Sequence, residues 1–350
     1  MVRLCIISGN RSDWGLLKGL ANELDAQEDF SVTVGVVGRP GGNFETWDEV
    51  DAIWSSPPLY GDTPEQITWA FGNTIMQCGR RWDDAAGRPD AIIVLGDRWE
   101  ILSAVVAAHI ARIKVIHIHG GEVTAGAYDD AFRHAITKMS QLHFVATEEF
   151  RRRVVQLGEN PEHVFNVGAL GCDNLPKRDP SKTYNRAIVA WYPETLSDIA
   201  VPTTWLVNIV KEFFADVVVI GAQPDVGSGD HLGESYPREE FLKLLAESDL
   251  IIGNSSAGII EAPAIQVPSI NIGRRQEGRS MADSIWSCAP AEDDIRSTIQ
   301  DVIGNKFWDF QKWEFGRHRP YGGDGVAKKI VQLTREWLPK VPLQKGFRDM

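Results

Sequence analysis

The passage VIHIHGGEVTAGAYDDAFRH, Val115 to His134, gathers His117, His119, Glu122, Asp129, Asp130, Arg133 and His134 among glycines and turn formers. Imidazoles and carboxylates exchange protons readily, and an arginine among them biases which form is stable. The passage therefore suits acid–base chemistry better than it suits a core. His117 and His119 stand two apart in a strand-like run and share a face, with Glu122 in the loop that follows. Asp129 and Asp130 open a helical stretch, where acids also serve simply as caps against the helix dipole. A histidine pair beside carboxylates could begin a metal site, but no further ligands can be placed and no metal is expected.

Asp97 ends an apolar run in VLGDR, where burial raises a carboxyl's pKa and Arg98 lowers it. Other residues are suited to holding an anion. IIGNSSAGIIEAP sets Gly253 to Gly258 at a strand-to-helix turn, with Ser255 and Ser256 as hydroxyl donors beside free backbone N–H groups. A helix cap by Asn254 or Ser255 is the plainer alternative. Arg11, Arg98, Arg274, Arg275 and Arg279 follow strand-like runs, and one shared anion explains them better than separate solvated side chains do. The chain has no GxxxxGK(S/T) and no GxGxxG after its first strand, so neither the P-loop nor the dinucleotide fingerprint is present.

These residues need elements to position them, and the chain supplies a regular alternation. VRLCIIS, SVTVGVVG, DAIIVLGD, KVIHIHG and LHFVAT read as strands covered on both faces, separated by segments of helical period such as DWGLLKGLANELDAQ and RWEILSAVVAAHIAR. After the polar segment GCDNLPKRDPSKTYN, the best linker, a second series follows: RAIVAWYP, ADVVVIGA, DLIIGNSS and VPSINIG as strands, with YPREEFLKLLAES, SAGIIEAPAIQ and AEDDIRSTIQDVIGN as helices. This is an α/β chain of parallel sheets, and the candidate residues fall at the carboxyl ends of strands, where such sheets bind ligands.

At 350 residues and 43% hydrophobic content the chain is large enough for two domains. A net charge of −12 and a pI near 5.2 argue against bulk attraction to nucleic acid or to an anionic membrane. The four cysteines, Cys5, Cys78, Cys172 and Cys288, are scattered as suits a reducing compartment. The N-terminus does not read as a signal peptide, nor does any long apolar run occur, so a cytoplasmic location is expected.

The motifs SGNRSDWGLLKGL, LGDRWEILSAVVAA, HIHGGEVTAGAYDDAFRHAITKMSQLHFVATEEFRRRVVQLGE, VFNVGALGCDN, GNSSAGIIEAPAIQVPSINIGRRQEGR and PYGGDGVAKKI, in this order, resemble the hydrolysing UDP-N-acetylglucosamine 2-epimerases of sialic-acid precursor synthesis. The resemblance implies a GT-B-like architecture, two Rossmann-like domains with parallel sheets facing across a cleft. On that basis residues 1–172 form a sugar-side domain, 185–322 a shortened UDP-side domain, and 323–350 a helix and tail crossing back. It also implies a reaction, UDP-N-acetylglucosamine plus water giving N-acetylmannosamine and UDP, with no cofactor, and a homodimer. Carried over by position, UDP contacts fall on Arg11, Ser255, Ser256, Glu261 and Arg275, Glu261 on the ribose. Acid–base duty falls on Asp97, His119 and Asp129, with Arg98 and Arg133 orienting or neutralising and Glu122 a further candidate in the loop.

Three departures stand out. Tyr192 occupies the place of a family histidine that reaches the leaving diphosphate, and a tyrosine offers one hydrogen bond but no cation. The spans Leu196–Val217 and Asp230–Phe241 are shorter than the family's, and Arg274 replaces an aspartate common in this type, adding charge that could offset Tyr192. Trp14, Trp99 and Trp191 flank the motifs and read more readily as packing than as pocket walls. The rival readings are a 2-epimerase acting on a related UDP-sugar, such as a 2,4-diacetamido sugar, and a UDP-sugar-binding protein with weak or lost turnover.

Overall fold

Alternate residues of the first strand serve two different cores. In β1 (Val2–Ser8), Leu4 and Ile6 join one apolar cluster while Cys5 and Ile7 join another, so both faces of the sheet are covered. The computed structural model describes residues 1–37, 52–53, 63–83, 87–124, 128–179, 181–192, 202–220, 232–234, 236–304 and 319–349, without the side chains of residues 11, 52–53 and 232–234. Two compact units emerge, the first comprising Met1–Glu122, Tyr128–Asp173 and Gly325–Met350, the second Val123–Ala127 and Asn174–Asp324.

The first unit is built on a parallel sheet of seven strands in the order β3-β2-β1-β4-β5-β6-β7. The strands after β1 are β2 (Phe30–Val36), β3 (Ala52–Ile53), β4 (Ala91–Leu95), β5 (Lys114–Ile118), β6 (Leu142–Val145) and β7 (Val164–Asn166). The order reverses direction between β1 and β4, and such a switch point is where open α/β sheets take ligands. The connecting helices are α1 (Arg11–Asp25), α2 (Pro64–Asp83), α3 (Trp99–Ile110), α4 (Asp129–Met139) and α5 (Glu148–Gln156). Leu17, Leu20 and Leu24 of α1 pack with β1 and with α10 (Val326–Trp337), the last helix, through Val326, Ile330 and Val331. The Asp173 carboxylate caps α10, accepting from Val326 N–H at 2.8 Å and Ala327 N–H at 2.6 Å.

The second unit carries a parallel sheet in the order β10-β9-β8-β11-β12-β13. Its strands are β8 (Arg186–Ala190), β9 (Asp216–Ile220), β10 (Leu232–Glu234), β11 (Leu250–Gly253), β12 (Ser269–Ile272) and β13 (Ile285–Cys288). Helices α6 (Thr203–Val210), α7 (Arg238–Ala246), α8 (Glu261–Ile265) and α9 (Glu292–Gly304) accompany them. Part of the segment expected as a linker is bolted to this unit. Arg178 forms a buried ion pair with Asp249 at 2.7 Å, and the other Asp249 oxygen accepts from the backbone of Tyr184 and Asn185 at 2.9 and 2.6 Å. Trp14, Trp99 and Trp191 are all buried. Among the described residues no helix is long and apolar enough to cross a membrane.

Candidate active site

In the first unit the candidates collect at the carboxyl ends of β1, β4 and β5. Gly96 turns the chain after β4 with a left-handed φ of 78°, donating its N–H to Ile118 O at 3.0 Å. Its carbonyl lies 2.8 Å from His117 Nε2, which must therefore carry a proton, so Nδ1 accepts from Thr137 Oγ1 at 3.2 Å. Burial pulls His117 down to about 3, so it stays neutral and ties the ends of two strands together without carrying protons. Gly120 must be small here, because a Cβ would stand 3.0 Å from His117 Nδ1.

Arg133, buried on α4, joins two candidates. Its Nη2 pairs with the Asp97 carboxylate, and its Nη1 donates to the His119 carbonyl at 3.1 Å. His119 adopts a left-handed φ of 63°, uncommon outside glycine although histidine, like asparagine and aspartate, is enriched there. Its Nε2 accepts from Leu170 N–H at 3.4 Å, which leaves the proton on Nδ1, 3.1 Å from Glu122 Oε1. Asp97, Arg133 and His119 are thus linked in one chain, with the Glu122 carboxylate 3.1 Å from the His119 ring. Asp129 stands beside it at the first turn of α4. Burial first, and then the negative charge of Asp97, raise the Asp129 carboxyl to about 6, and its buried Oδ1 has no hydrogen-bond partner among the described residues.

Arg98, expected to help hold phosphate, pairs here with a carboxylate of its own unit. It forks onto Glu100, Nε at 3.1 Å and Nη2 at 2.6 Å, so its charge is largely spent on a buried carboxylate two residues away. Asp13 was not foreseen. Asn10 caps α1 by accepting from Asp13 N–H at 2.8 Å, and the Asp13 carboxyl folds back beside Gly9, where a Cβ would stand 3.0 Å from Oδ2. Desolvation outweighs the attraction of Arg98, and Glu100 and Asp97 repel the charged form, so the carboxyl rises to about 7, with Oδ2 unpartnered among the described residues. The signal was present in SGNRSDW, an Asn followed three residues later by an Asp at a strand end. Arg11 opens α1, and its side chain lies outside the described residues.

In the second unit the candidates collect at the ends of β8, β11 and β12. Gly253 has φ 144°, and a Cβ there would stand 2.0 Å from Ala190 O, so only glycine lets β11 leave the sheet so close to β8. The next residue, Asn254, is fully buried and joins the three strand ends. Its side chain accepts from Tyr192 N–H at 2.8 Å and donates to Tyr192 O at 2.9 Å, while its carbonyl accepts from Arg275 Nη1 at 3.0 Å and Gln276 Nε2 at 2.7 Å. Asn254 and Gln276 were not on the expected site.

The expected single helix SAGIIEAPAIQ is broken. A 3-10 turn over Ser256–Gly258 precedes the five-residue α8, and Gln266 at φ 70° ends it. Pro263 within α8 has no N–H to give to the Ile259 carbonyl, which a continuous helix would require. Ser255 caps the turn, its Oγ accepting from Ala257 N–H at 3.3 Å. The positive end of a long helix is therefore replaced by the backbone of one turn. Glu261, at the start of α8, pairs with Arg238 at 3.2 Å, and Arg274 pairs with Glu277 at 2.7 Å on the exposed surface. Segments 193–201 and 221–231, which include part of the shortened span and the loop after β9, lie outside the described residues.

A family model described as UDP-N-acetylglucosamine 2-epimerase matches residues 58–200 and 219–335. This chain belongs to that family. An Escherichia coli relative described as polysialic acid biosynthesis protein P7 is 40% identical over 289 residues, 74% of this chain and 73% of its own. The UDP-N,N'-diacetylbacillosamine 2-epimerase (hydrolyzing) of Legionella pneumophila is 30% identical over 377 residues, covering 96% of both chains. Among solved structures, the UDP-GlcNAc 2-epimerase from Neisseria meningitidis bound to UDP-GlcNAc superposes with a TM-score of 0.76 at 17% identity, over 96% of this chain and 100% of that one. A putative UDP-N-acetylglucosamine 2-epimerase from Listeria monocytogenes gives 0.77 at 17% identity, over 97% and 98%. At those identities the structures speak to fold, and the two parallel-sheet α/β units are the GT-B-like arrangement of UDP-N-acetylglucosamine 2-epimerases.

Proposed function

We propose that the chain is a hydrolysing UDP-N-acetylglucosamine 2-epimerase, with the second unit holding UDP and the first doing acid–base work on the hexose. The reaction divides into two stages that balance. A base takes the proton on carbon 2, the freed electron pair forms the C1–C2 double bond, and the C1–O bond to UDP breaks. Water then adds hydroxyl at C1 while a proton returns to C2 on the other face, giving N-acetylmannosamine. Each stage needs a proton carrier near the sugar, and the departing diphosphate needs donors and cations.

The observation that carries this reading is the set Asp97, Arg133, His119, Glu122 and Asp129, joined or adjacent at one sheet edge in a chain of this family. The Asp97 carboxylate, paired with Arg133, is assigned to accept the proton, while Asp129, raised to about 6, can hold and return one. Ser255, Ser256, Arg275 and Glu261 are assigned to the nucleotide, with Tyr192 beside them, Arg11 completing the phosphate contacts and Arg98 orienting the acidic groups. Incubation with UDP-N-acetylglucosamine in deuterated water tests the proposal. It predicts free N-acetylmannosamine carrying deuterium at carbon 2 and stoichiometric UDP. Recovery of the intact UDP-sugar, epimerised or not, would overturn it.

A second reading concerns the sugar. Relatives from Legionella and Campylobacter jejuni are described as diacetylbacillosamine 2-epimerases, at 30% and 29% identity. Parallel assays with UDP-N-acetylglucosamine and a UDP-2,4-diacetamido sugar decide between them by the larger kcat/KM. We further propose a cytoplasmic homodimer, for which sedimentation of the purified chain is the direct test.

A further inference from the structure

Tyr192 is 36% exposed at the end of β8, and its hydroxyl makes no hydrogen bond among the described residues. Its ring is engaged instead. The Arg275 guanidinium stands over the ring face, 5.2 Å from the centroid, while Arg275 Nη1 donates to the Asn254 carbonyl at 3.0 Å. Asn254 in turn grips both backbone polar groups of Tyr192, at 2.8 and 2.9 Å, and its own carbonyl is held a second time by buried Gln276 at 2.7 Å. The contacts close a loop running from Asn254 to Tyr192, to Arg275 and back. The residue after Asn254 is Ser255, which caps the turn over Ser256–Gly258.

We infer that Tyr192 serves the nucleotide site through its ring face: it is a positioning residue that seats the Arg275 guanidinium beside the Ser255 turn, with Asn254 fixing both. The inference rests on the proposed binding of UDP by this unit. An arginine side chain loses much rotamer freedom when it grips phosphate, and a planar guanidinium already stacked and hydrogen-bonded has less left to lose. The aromatic face adds attraction for the guanidinium to the hydrogen bond it makes to the Asn254 carbonyl. Tyr192 thus offsets the absence of a cation at its own position by fixing a cation next to it. A histidine at residue 192 offers a poorer face when neutral and repels Arg275 when protonated.

Calorimetry with UDP on four variants tests this. Arg275→Ala is expected to weaken UDP at least tenfold. Tyr192→Phe keeps the face and should stay within twofold of the parent, whereas Tyr192→Leu keeps bulk alone and should lose about two- to fivefold, the range of an exposed cation–π contact. Combined with Arg275→Ala, Tyr192→Leu should add nothing, a non-additivity that a general packing defect would not produce. In turnover, the Tyr192→Leu loss should appear in KM with kcat held. Equal losses for Tyr192→Phe and Tyr192→Leu would assign the hydroxyl instead of the face. The same Tyr192→Leu loss with and without Arg275 would end the positioning role. An Arg275→Ala protein that binds UDP normally would overturn the nucleotide assignment on which the inference stands.

Discussion

The two sheet edges solve opposite problems with similar residues. At the first, charges are spent on one another, Arg133 on Asp97 and Arg98 on Glu100, while the His119 ring lies between Leu170 N–H and Glu122. At the second, neutral amides do the fixing, through Asn254 and Gln276, and Arg275 rests on a carbonyl and an aromatic ring. Proton transfer needs groups whose ionisation is set by a dry, rigid surround, so internal pairing is the means of control. Gripping a diphosphate needs a cation held in place, and Arg275 is positioned by a carbonyl and a ring face.

The largest effect should come from Asp97→Asn, which removes a charge that Arg133 stabilises. We expect kcat to fall roughly 10²- to 10⁴-fold, the range for losing an acid–base group, with UDP affinity within twofold. A parallel fall in UDP affinity, read by calorimetry, would erase the contrast between the edges. Next comes Gly253→Ala, which forces a Cβ against Ala190 O in a backbone conformation that side chains rarely adopt. Strain of about 1–3 kcal/mol should lower the denaturant midpoint and weaken UDP by more than tenfold. Unchanged binding would show that the Ser255 turn does not depend on that crossing.

The third prediction sharpens the first edge through pH. Burial raises Asp13 from 3.8 to about 7 and Asp129 to about 6, so the folded chain keeps protons that the unfolded chain releases. The stability they contribute is complete below the unfolded value of 3.8 and is lost as pH rises through 6 and 7. Asp13→Asn has no such proton to lose, so its melting temperature relative to the parent should increase between pH 4 and pH 8. A constant offset would mean that Asp13 is not desolvated in solution. The smallest effect belongs to Arg274→Ala, under twofold on UDP affinity, because Arg274 already pairs with Glu277 at the surface.

Much of this was legible in the sequence. The strands are near-continuous apolar runs, and the motifs follow them, so Asp97, His119, Asp129 and Ser255 could be placed at strand ends before any coordinates. Pro263 was legible too, since its missing N–H forbids the continuous helix first expected, but helical periodicity masked it. What could not be read depends on meetings across sequence distance. Arg133 reaches Asp97 from another element, Asp13 is desolvated between Gly9 and Ile101, and Arg275 finds the Tyr192 ring only because β8, β11 and β12 lie side by side. Local spacing carries no trace of such pairings.

The Asp173 carboxylate waits for a partner encoded 153 positions downstream. During synthesis, everything between them must leave the ribosome before α10 exists to cover Leu17, Leu20 and Leu24. For that interval the oldest part of the nascent chain carries a bare oily stripe, the kind of surface that chaperones hold and that aggregates recruit. Emergence of α10, rather than of the chain's first half, is therefore the moment at which the fold of the first unit can close.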